Sequence, residues 1–366
     1  MSDLSFNQLF NTNLSAVFGR AFRLVLNNPR SAYFLLKALL HQKKAKALRG
    51  DWMMQGIEVP PVMIISVTSQ CNLRCKGCYS IAQNRKEHSG ISGAGLHSLI
   101  SEASQLGISV IILAGGEPLL HPDIFKIASG YPDIIFPVFT NGLLLTNGII
   151  SRLKRHRNII PVISIEGDKF QTDERRGAGV FDMLLQKFAL MKSCHIFYGV
   201  SITVNSENLG IITDDKYIPS LIGKGCRLFF LVEYVPVTEE KEYMALDKIQ
   251  RIILLQHIKN FRKIHPAIFI GFPGDEEQYG GCLAAGRGFV HVSSDGFLEP
   301  CPFAPFSDSD LKKLSLKEAL SSEMLKDIRG NHGFLSESAG GCALWANREW
   351  VKSLQNRHHS HNLDEP

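Results

Sequence analysis

Long apolar runs are missing from this chain of 366 residues. No stretch approaches the ~18 consecutive apolar residues that would span a bilayer, and no secretion signal opens the sequence. Acidic residues are missing from one whole segment. Between Asp3 and Asp51 there is none, while Arg20, Arg23, Arg30, Lys37, Lys43, Lys44, Lys46 and Arg49 all fall inside it. Elsewhere the charges nearly balance, and a formal net charge of +5 is too mild to imply nucleic acid. No internal repeat is present, which excludes solenoid and propeller architectures. The eight cysteines do not form the paired C-x2-C knuckles of a structural zinc site.

What is present is a 45% hydrophobic composition, ample for a core in one large domain plus a smaller one. In the basic segment, Val17, Phe18, Ala21, Phe22 and Val25 recur at helical spacing, as do Tyr33, Phe34, Leu36, Leu39 and Leu40. Asn28-Pro29 marks a break between the two helices. The favoured reading is that their apolar faces pack on the body of the protein. The other is that residues 14–50 lie on an anionic membrane surface.

From Pro60 the chain alternates β-rich runs with helical stretches. The spacing predicts strands at Val62–Val67, Val110–Ala114, Ile134–Phe139, Ile160–Ile165, Tyr198–Val204 and Leu228–Val235. Helices are predicted between them, at Gly95–Leu106, Asp123–Gly130, Gly148–Lys154, Phe181–Lys192 and Tyr217–Ile222. Such alternation implies parallel β–α units joined by right-handed crossovers. After another helix at Ile249–Ile264 the texture shifts to Gly, Pro and short strands. Phe289–Ser293 and Phe297–Glu299 flank the hairpin signal Ser294-Asp295-Gly296. Helices are expected again at Ser315–Arg329 and Ala343–Leu354.

Chemistry concentrates directly after the first strand, in Cys71-Asn-Leu-Arg-Cys75-Lys-Gly-Cys78-Tyr79. Three thiolates are one short of a closed four-coordinate site. A cubane cluster on three cysteines keeps one iron open to an outside ligand. A zinc loop would need a fourth ligand, and His88 is the nearest candidate. The second strand runs into Gly115-Gly116-Glu117-Pro118, where two glycines allow close backbone approach to a ligand and a carboxylate can hold an ammonium. Together these segments resemble the radical S-adenosylmethionine superfamily, whose signatures are C-x3-C-x2-C followed by an aromatic, and Gly-Gly-Glu-Pro.

The resemblance implies a partial (β/α)6 barrel at residues 59–265, preceded by N-terminal helices at 1–58. It implies a [4Fe–4S] cluster on Cys71, Cys75 and Cys78, with S-adenosylmethionine on its open iron. Reductive cleavage of that molecule would give methionine and a 5′-deoxyadenosyl radical, which would abstract hydrogen from a substrate. The cofactor-binding set carried over is Tyr79, Gly115, Gly116, Glu117, Ser164, Glu166, Arg176, Ser201, Thr203, Asn205 and Val235. Ser164-Ile165-Glu166-Gly167 is similar to the Ser-Ile-Asp-Gly of many members, with Glu for Asp. Within Asp173-Glu174-Arg175-Arg176-Gly177 either arginine could clamp the methionine carboxylate. Ser201, Thr203 and Asn205 share one strand face that suits a ribose.

In the last third, Gly281-Cys282, then Asp295-Gly296 with Pro300-Cys301, then Gly341-Cys342 resemble the start of SPASM and twitch domains. That resemblance implies a small α+β domain at 266–355 with one auxiliary [4Fe–4S] cluster on Cys282, Cys301 and Cys342, before a polar tail at 356–366 expected to be disordered. Cys194 and Cys226 read as core thiols. Clusters need reduced thiols, hence a cytoplasmic location, peripheral to a membrane if the N-terminal helices touch one. The partners implied are S-adenosylmethionine, a substrate that is a peptide, lipid-like or a small molecule, and an electron donor such as flavodoxin or ferredoxin. The alternative is an iron–sulfur or zinc electron-transfer protein without radical chemistry. No catalytic side chain is assigned.

Overall fold

The computed structural model describes residues 3–24, 26, 29–83, 89–236, 239–272, 276–333, 335 and 342–361. His88, Val25, Asn28 and Gly341 lie outside the described residues, as do 362–366.

Eight strands run parallel: β1 (Val62–Thr68), β2 (Val110–Gly115), β3 (Phe136–Thr140), β4 (Ile159–Ser164), β5 (Gly199–Val204), β6 (Leu228–Glu233), β7 (Ile268–Phe272) and β8 (Phe289–Val292). A short β9 (Leu298–Glu299) turns back antiparallel on β8. The sheet order is β7-β6-β5-β4-β3-β2-β1-β8-β9. The first six strands and their crossover helices fall where the alternation predicts them, each within a few residues. Two further strands were not foreseen as part of this sheet. β7 extends it beyond β6, and β8 docks in parallel on the other side of β1, so the C-terminal hairpin belongs to the barrel wall. The reason is visible in β8: Phe289, Val290, His291 and Val292 are all buried, and such a strand needs neighbours on both faces.

A buried polar chain fastens β8 and β9 to β1. His291 hydrogen-bonds Ser66 Oγ through Nε2 at 2.8 Å and the Glu299 carboxylate through Nδ1 at 2.7 Å. Between β7 and β8 there is no ladder among the described residues. Aromatic rings fill that seam, with Phe272 at 5.1 Å from Phe289 and 6.3 Å from Phe303, centroid to centroid, and Phe303 at 5.4 Å from Tyr79.

Apolar side chains alternate along β2. Ile111 and Leu113 are fully buried beneath the outer helices, whereas Val110, Ile112 and Ala114 point inward and are only half-buried. The barrel is therefore packed outside and hollow inside.

Two N-terminal helices, α1 (Asp3–Leu24) and α2 (Pro29–Met54), cover the lower end, where the strands begin. Pro29 opens α2, a position where its missing N–H costs nothing. Phe18, Ala21, Leu35 and Ala38 pack with Ile135, Ile160, Leu228 and Ile268. Buried polar contacts fix the pair: Arg49 Nη1 donates to the Gly107 carbonyl at 2.6 Å, and Ser109 Oγ to Gln42 at 2.7 Å. Burial depresses the Arg49 guanidinium to about 10. At the other terminus the last helix runs Arg348–His361, beyond Leu354 and into the stretch expected to be disordered. Among the described residues no helix is long and apolar enough to cross a membrane.

Candidate active site

The cysteine loop leaves the upper end of β1 and sits over a cavity of about 980 Å³ that fills the barrel. Cys71 is exposed, and Cys75 and Cys78 are half-buried. All three line the cavity, together with Tyr79, Gly115, Gly116, Asn141, Ser164, Arg175, Arg176, Ser201, Thr203 and Val235. Gly77 between the last two cysteines has φ +67°, a left-handed turn that suits glycine. Burial pushes the Cys71 and Cys75 thiols above their ordinary value, against the pull of Arg176 on Cys75. Each sulfur also receives donors: the Leu73 N–H lies 3.5 Å from Cys71 Sγ and Arg176 Nη1 lies 3.8 Å from Cys75 Sγ. Such contacts favour a thiolate over a thiol.

The two glycines of Gly115-Gly116 have a structural cause of their own. A Cβ on Gly115 would stand 2.4 Å from the Thr68 carbonyl oxygen, and one on Gly116 would stand 2.1 Å from that of Gln70. The end of β2 thus passes against the root of the cysteine loop, held by Gly116 N–H to Thr68 O and Glu117 N–H to Gln70 O, both 2.7 Å.

Glu117 differs from the expectation that its carboxylate faces an ammonium. It is 0% exposed and does not line the cavity. Its carboxylate accepts from Thr140 Oγ1 at 2.7 Å, the Asn141 N–H at 2.8 Å and the Leu119 N–H at 3.1 Å. Burial pushes its pKa up, opposed by these donors. Unpaired backbone donors at the end of β3 draw the carboxylate inward, so it braces the loop that carries Asn141. Asn141, not anticipated, donates through Nδ2 to Asn72 at 2.7 Å and lies 3.9 Å from Cys71 Sγ.

Glu166 also turns inward. Its buried carboxylate holds both arginines, Arg175 at 3.1 Å and Arg176 in a closer contact. The choice between Arg175 and Arg176 therefore dissolves, because the two form one unit on Glu166. Their Nε atoms are buried and have no partner, and so are the Tyr234 hydroxyl and Glu233 Oε1 on the same cavity's wall. Glu233, the last residue of β6, pairs with Arg251 at 2.8 Å. A charged residue ending a buried strand was the signal that could have singled it out. Asn205 is not with Ser201 and Thr203. Its side chain accepts from the Glu207 and Asn208 N–H groups at 3.0 and 2.9 Å, closing the turn after β5.

Cys282, Cys301 and Cys342 are each buried in the C-terminal segment, near enough for their charges to influence one another. Burial first, then the nearby thiols and Glu276, pushes Cys282 far above the ordinary thiol range, and Cys301 likewise rises by burial and its neighbours. Gly281 is required before Cys282: at φ +119°, a Cβ would stand 2.5 Å from the His332 carbonyl oxygen. Cys342 Sγ accepts the Trp345 N–H at 3.4 Å. Among the described residues no three His, Cys, Asp or Glu side chains stand close enough to share a single metal ion. A cubane asks less, since its thiolates ligate separate irons.

An open parallel barrel with three thiols on the loop after β1, above a cavity with unpaired buried donors, is an arrangement suited to a metal cluster and a polar cosubstrate at the strands' C-terminal ends. Residues 65–210 match the family model of the Radical SAM superfamily. That family implies a [4Fe–4S] cluster and S-adenosylmethionine. The chain is 27% identical to the AdoMet-dependent heme synthase of Methanosarcina barkeri (strain Fusaro / DSM 804), over 76% of this chain and 87% of that protein. It is 25% identical to the GTP 3′,8-cyclase of Clostridium perfringens (strain 13 / Type A), over 72% and 86%. Streptococcus suis SuiB, solved with its precursor peptide SuiA, superposes with a TM-score of 0.61 at 18% identity, covering 87% of this chain and 76% of that one. At that identity the likeness concerns the fold.

Proposed function

We propose that Cys71, Cys75 and Cys78 hold a [4Fe–4S] cluster, that the cavity below them holds S-adenosylmethionine, and that residues 59–265 form this catalytic core. The residues fit the groups. Three thiols with N–H donors near two of them match a cluster with one open iron, and the orphaned Nε atoms of Arg175 and Arg176 match a carboxylate. When bound, the cluster supplies the electron that splits S-adenosylmethionine into methionine and a 5′-deoxyadenosyl radical able to abstract hydrogen from a substrate. The chain's own residues do the rest. Glu166 fixes the two guanidinium planes. The Gly115-Gly116 backbone would face the amino group, with Glu117 as the residue that positions the neighbouring loop. Ser164, Ser201 and Thr203 offer hydroxyls to the ribose, and Val235 borders the adenine. Tyr79 packs edge-on to Phe303 beside the loop. Cys282, Cys301 and Cys342 hold an auxiliary [4Fe–4S] cluster in the 266–355 region. An external reductant such as flavodoxin or ferredoxin delivers the electron.

The observation that carries this reading is the convergence of the three thiols, the Gly-Gly turn and the unpaired arginine donors on one cavity. It is tested by anaerobic reconstitution. The expected protein carries about eight irons per chain, two cubanes, and with dithionite yields 5′-deoxyadenosine and methionine in equal amounts. Zinc in place of iron, or no 5′-deoxyadenosine, would overturn it.

A further inference from the structure

The cavity has two halves of different chemistry. The upper half carries the thiols, hydroxyls and arginines described above. The lower half, toward the strand starts, is walled by side chains such as Val62, Val110, Ile112, Phe230 and Ile268, and floored by Val17 and Ala21 of α1. At about 980 Å³ the whole lumen reaches the upper end of the ~300–1,000 Å³ typical of small-molecule sites. S-adenosylmethionine, with its amino, carboxylate and ribose groups, has partners only in the upper half. An apolar hollow of this kind excludes water and favours an apolar occupant.

We infer that the lower lumen binds the hydrocarbon chain of an amphiphile, which would make the substrate of the proposed radical chemistry lipid-like. This rests on the proposed function for its catalytic meaning but not for the binding itself. Three further features agree. A cation, Arg20 on α1, lines the cavity and can face an anionic headgroup. The seam between β7 and β8 is closed by aromatic contacts rather than by a ladder, so a chain can enter sideways without breaking backbone hydrogen bonds. The helix that helps cover the lower end also turns Tyr33, Leu36 and Leu40 to solvent beside Lys37, Lys43 and Lys44. Such a face suits the anionic bilayer from which the chain would be drawn.

The test is equilibrium dialysis of radiolabelled palmitate against the reconstituted holoenzyme saturated with S-adenosylmethionine. Saturable binding of one palmitate per chain is expected, weakened at least tenfold by Val110→Phe, which fills the lumen from the wall. Ile112→Phe serves the same purpose if the first variant does not fold, with iron content and circular dichroism reporting the fold. Absence of binding, binding unchanged in the folded variant, or displacement by S-adenosylmethionine would overturn the inference. So would tight lumen binding of an iron porphyrin with none of palmitate, which would make the occupant a planar macrocycle. Failure of the proposed function is read separately, as missing 5′-deoxyadenosine, and leaves palmitate binding measurable.

Discussion

The two cysteine sets occupy opposite environments. Cys71, Cys75 and Cys78 stand on a loop at the rim of a large cavity, exposed or half-buried, with arginines beside them. Cys282, Cys301 and Cys342 are sealed beneath the C-terminal segment, with thiols driven upward by burial. An accessible set suits a cluster that must receive a ligand from solution. A buried set suits one that exchanges electrons rather than one that takes up a cosubstrate. The contrast favours electron relay over substrate anchoring for the second site.

The largest expected effect comes from emptying the sealed set. With Cys282, Cys301 and Cys342 all changed to Ala, about four irons should be lost, and turnover of the true substrate should stop while S-adenosylmethionine cleavage persists. Full iron content in that variant would make the three thiols ordinary core residues and end the comparison.

Next is the brace behind the open set. Glu117→Ala leaves the buried Asn141 N–H and Thr140 hydroxyl without their acceptor, each worth about 1–3 kcal/mol, together with the part-buried Leu119 N–H. Thermal melts should show a loss of several degrees, and the Cys71 cluster should become labile to chelator while the sealed one does not. Equal lability of both would show that the two sites are not independent.

The third test is pH. In the apo protein the folded Cys282 and Cys301 keep their protons above the pH at which an unfolded thiol loses its own, near 8.5. The unfolded chain then binds fewer protons, so stability falls as pH rises from about 8.5 toward the raised folded values. The slope approaches about 1.4 kcal/mol per pH unit for each thiol, and denaturant titrations at pH 8 and pH 10 measure it. The variant lacking the sealed cysteines should lose that part of the slope. If it does not, burial is not what distinguishes the set.

The smallest effect is expected at the surface of the open loop, where Lys76 pairs with Glu174. Both are substantially exposed, so Glu174→Gln should move stability by no more than ~0.5 kcal/mol and leave the iron content of both sites intact. A larger change would mean that this bridge helps hold the open loop.

Much of this was legible in the residues. Six strands, their helices and the cysteine loop follow from periodicity and spacing, because buried parallel strands announce themselves as short β-branched runs. β7 is not among the strands the spacing predicts, and β8 is predicted as part of a separate C-terminal hairpin, because nothing local says which edge a strand joins. Glu117 and Asn205 were read as facing a ligand, since a motif gives a residue's position but not the direction of its side chain. In both cases unpaired backbone N–H groups nearby claimed the side chain first. Glu233, Tyr234 and Asn141 lay inside or beside segments already noticed, and only the geometry separates them from their neighbours.

The helix pair beneath the barrel also carries a consequence for biosynthesis. Its apolar face, Phe18 to Ala38, packs on Leu228 and Ile268, which the ribosome adds some two hundred residues later. At about 5–20 residues per second that face waits on the order of 10–50 s for its partner surface. During that interval an amphipathic, basic hairpin stands without its complete partner surface, so its yield in a cell should depend on what holds it until the last strands arrive.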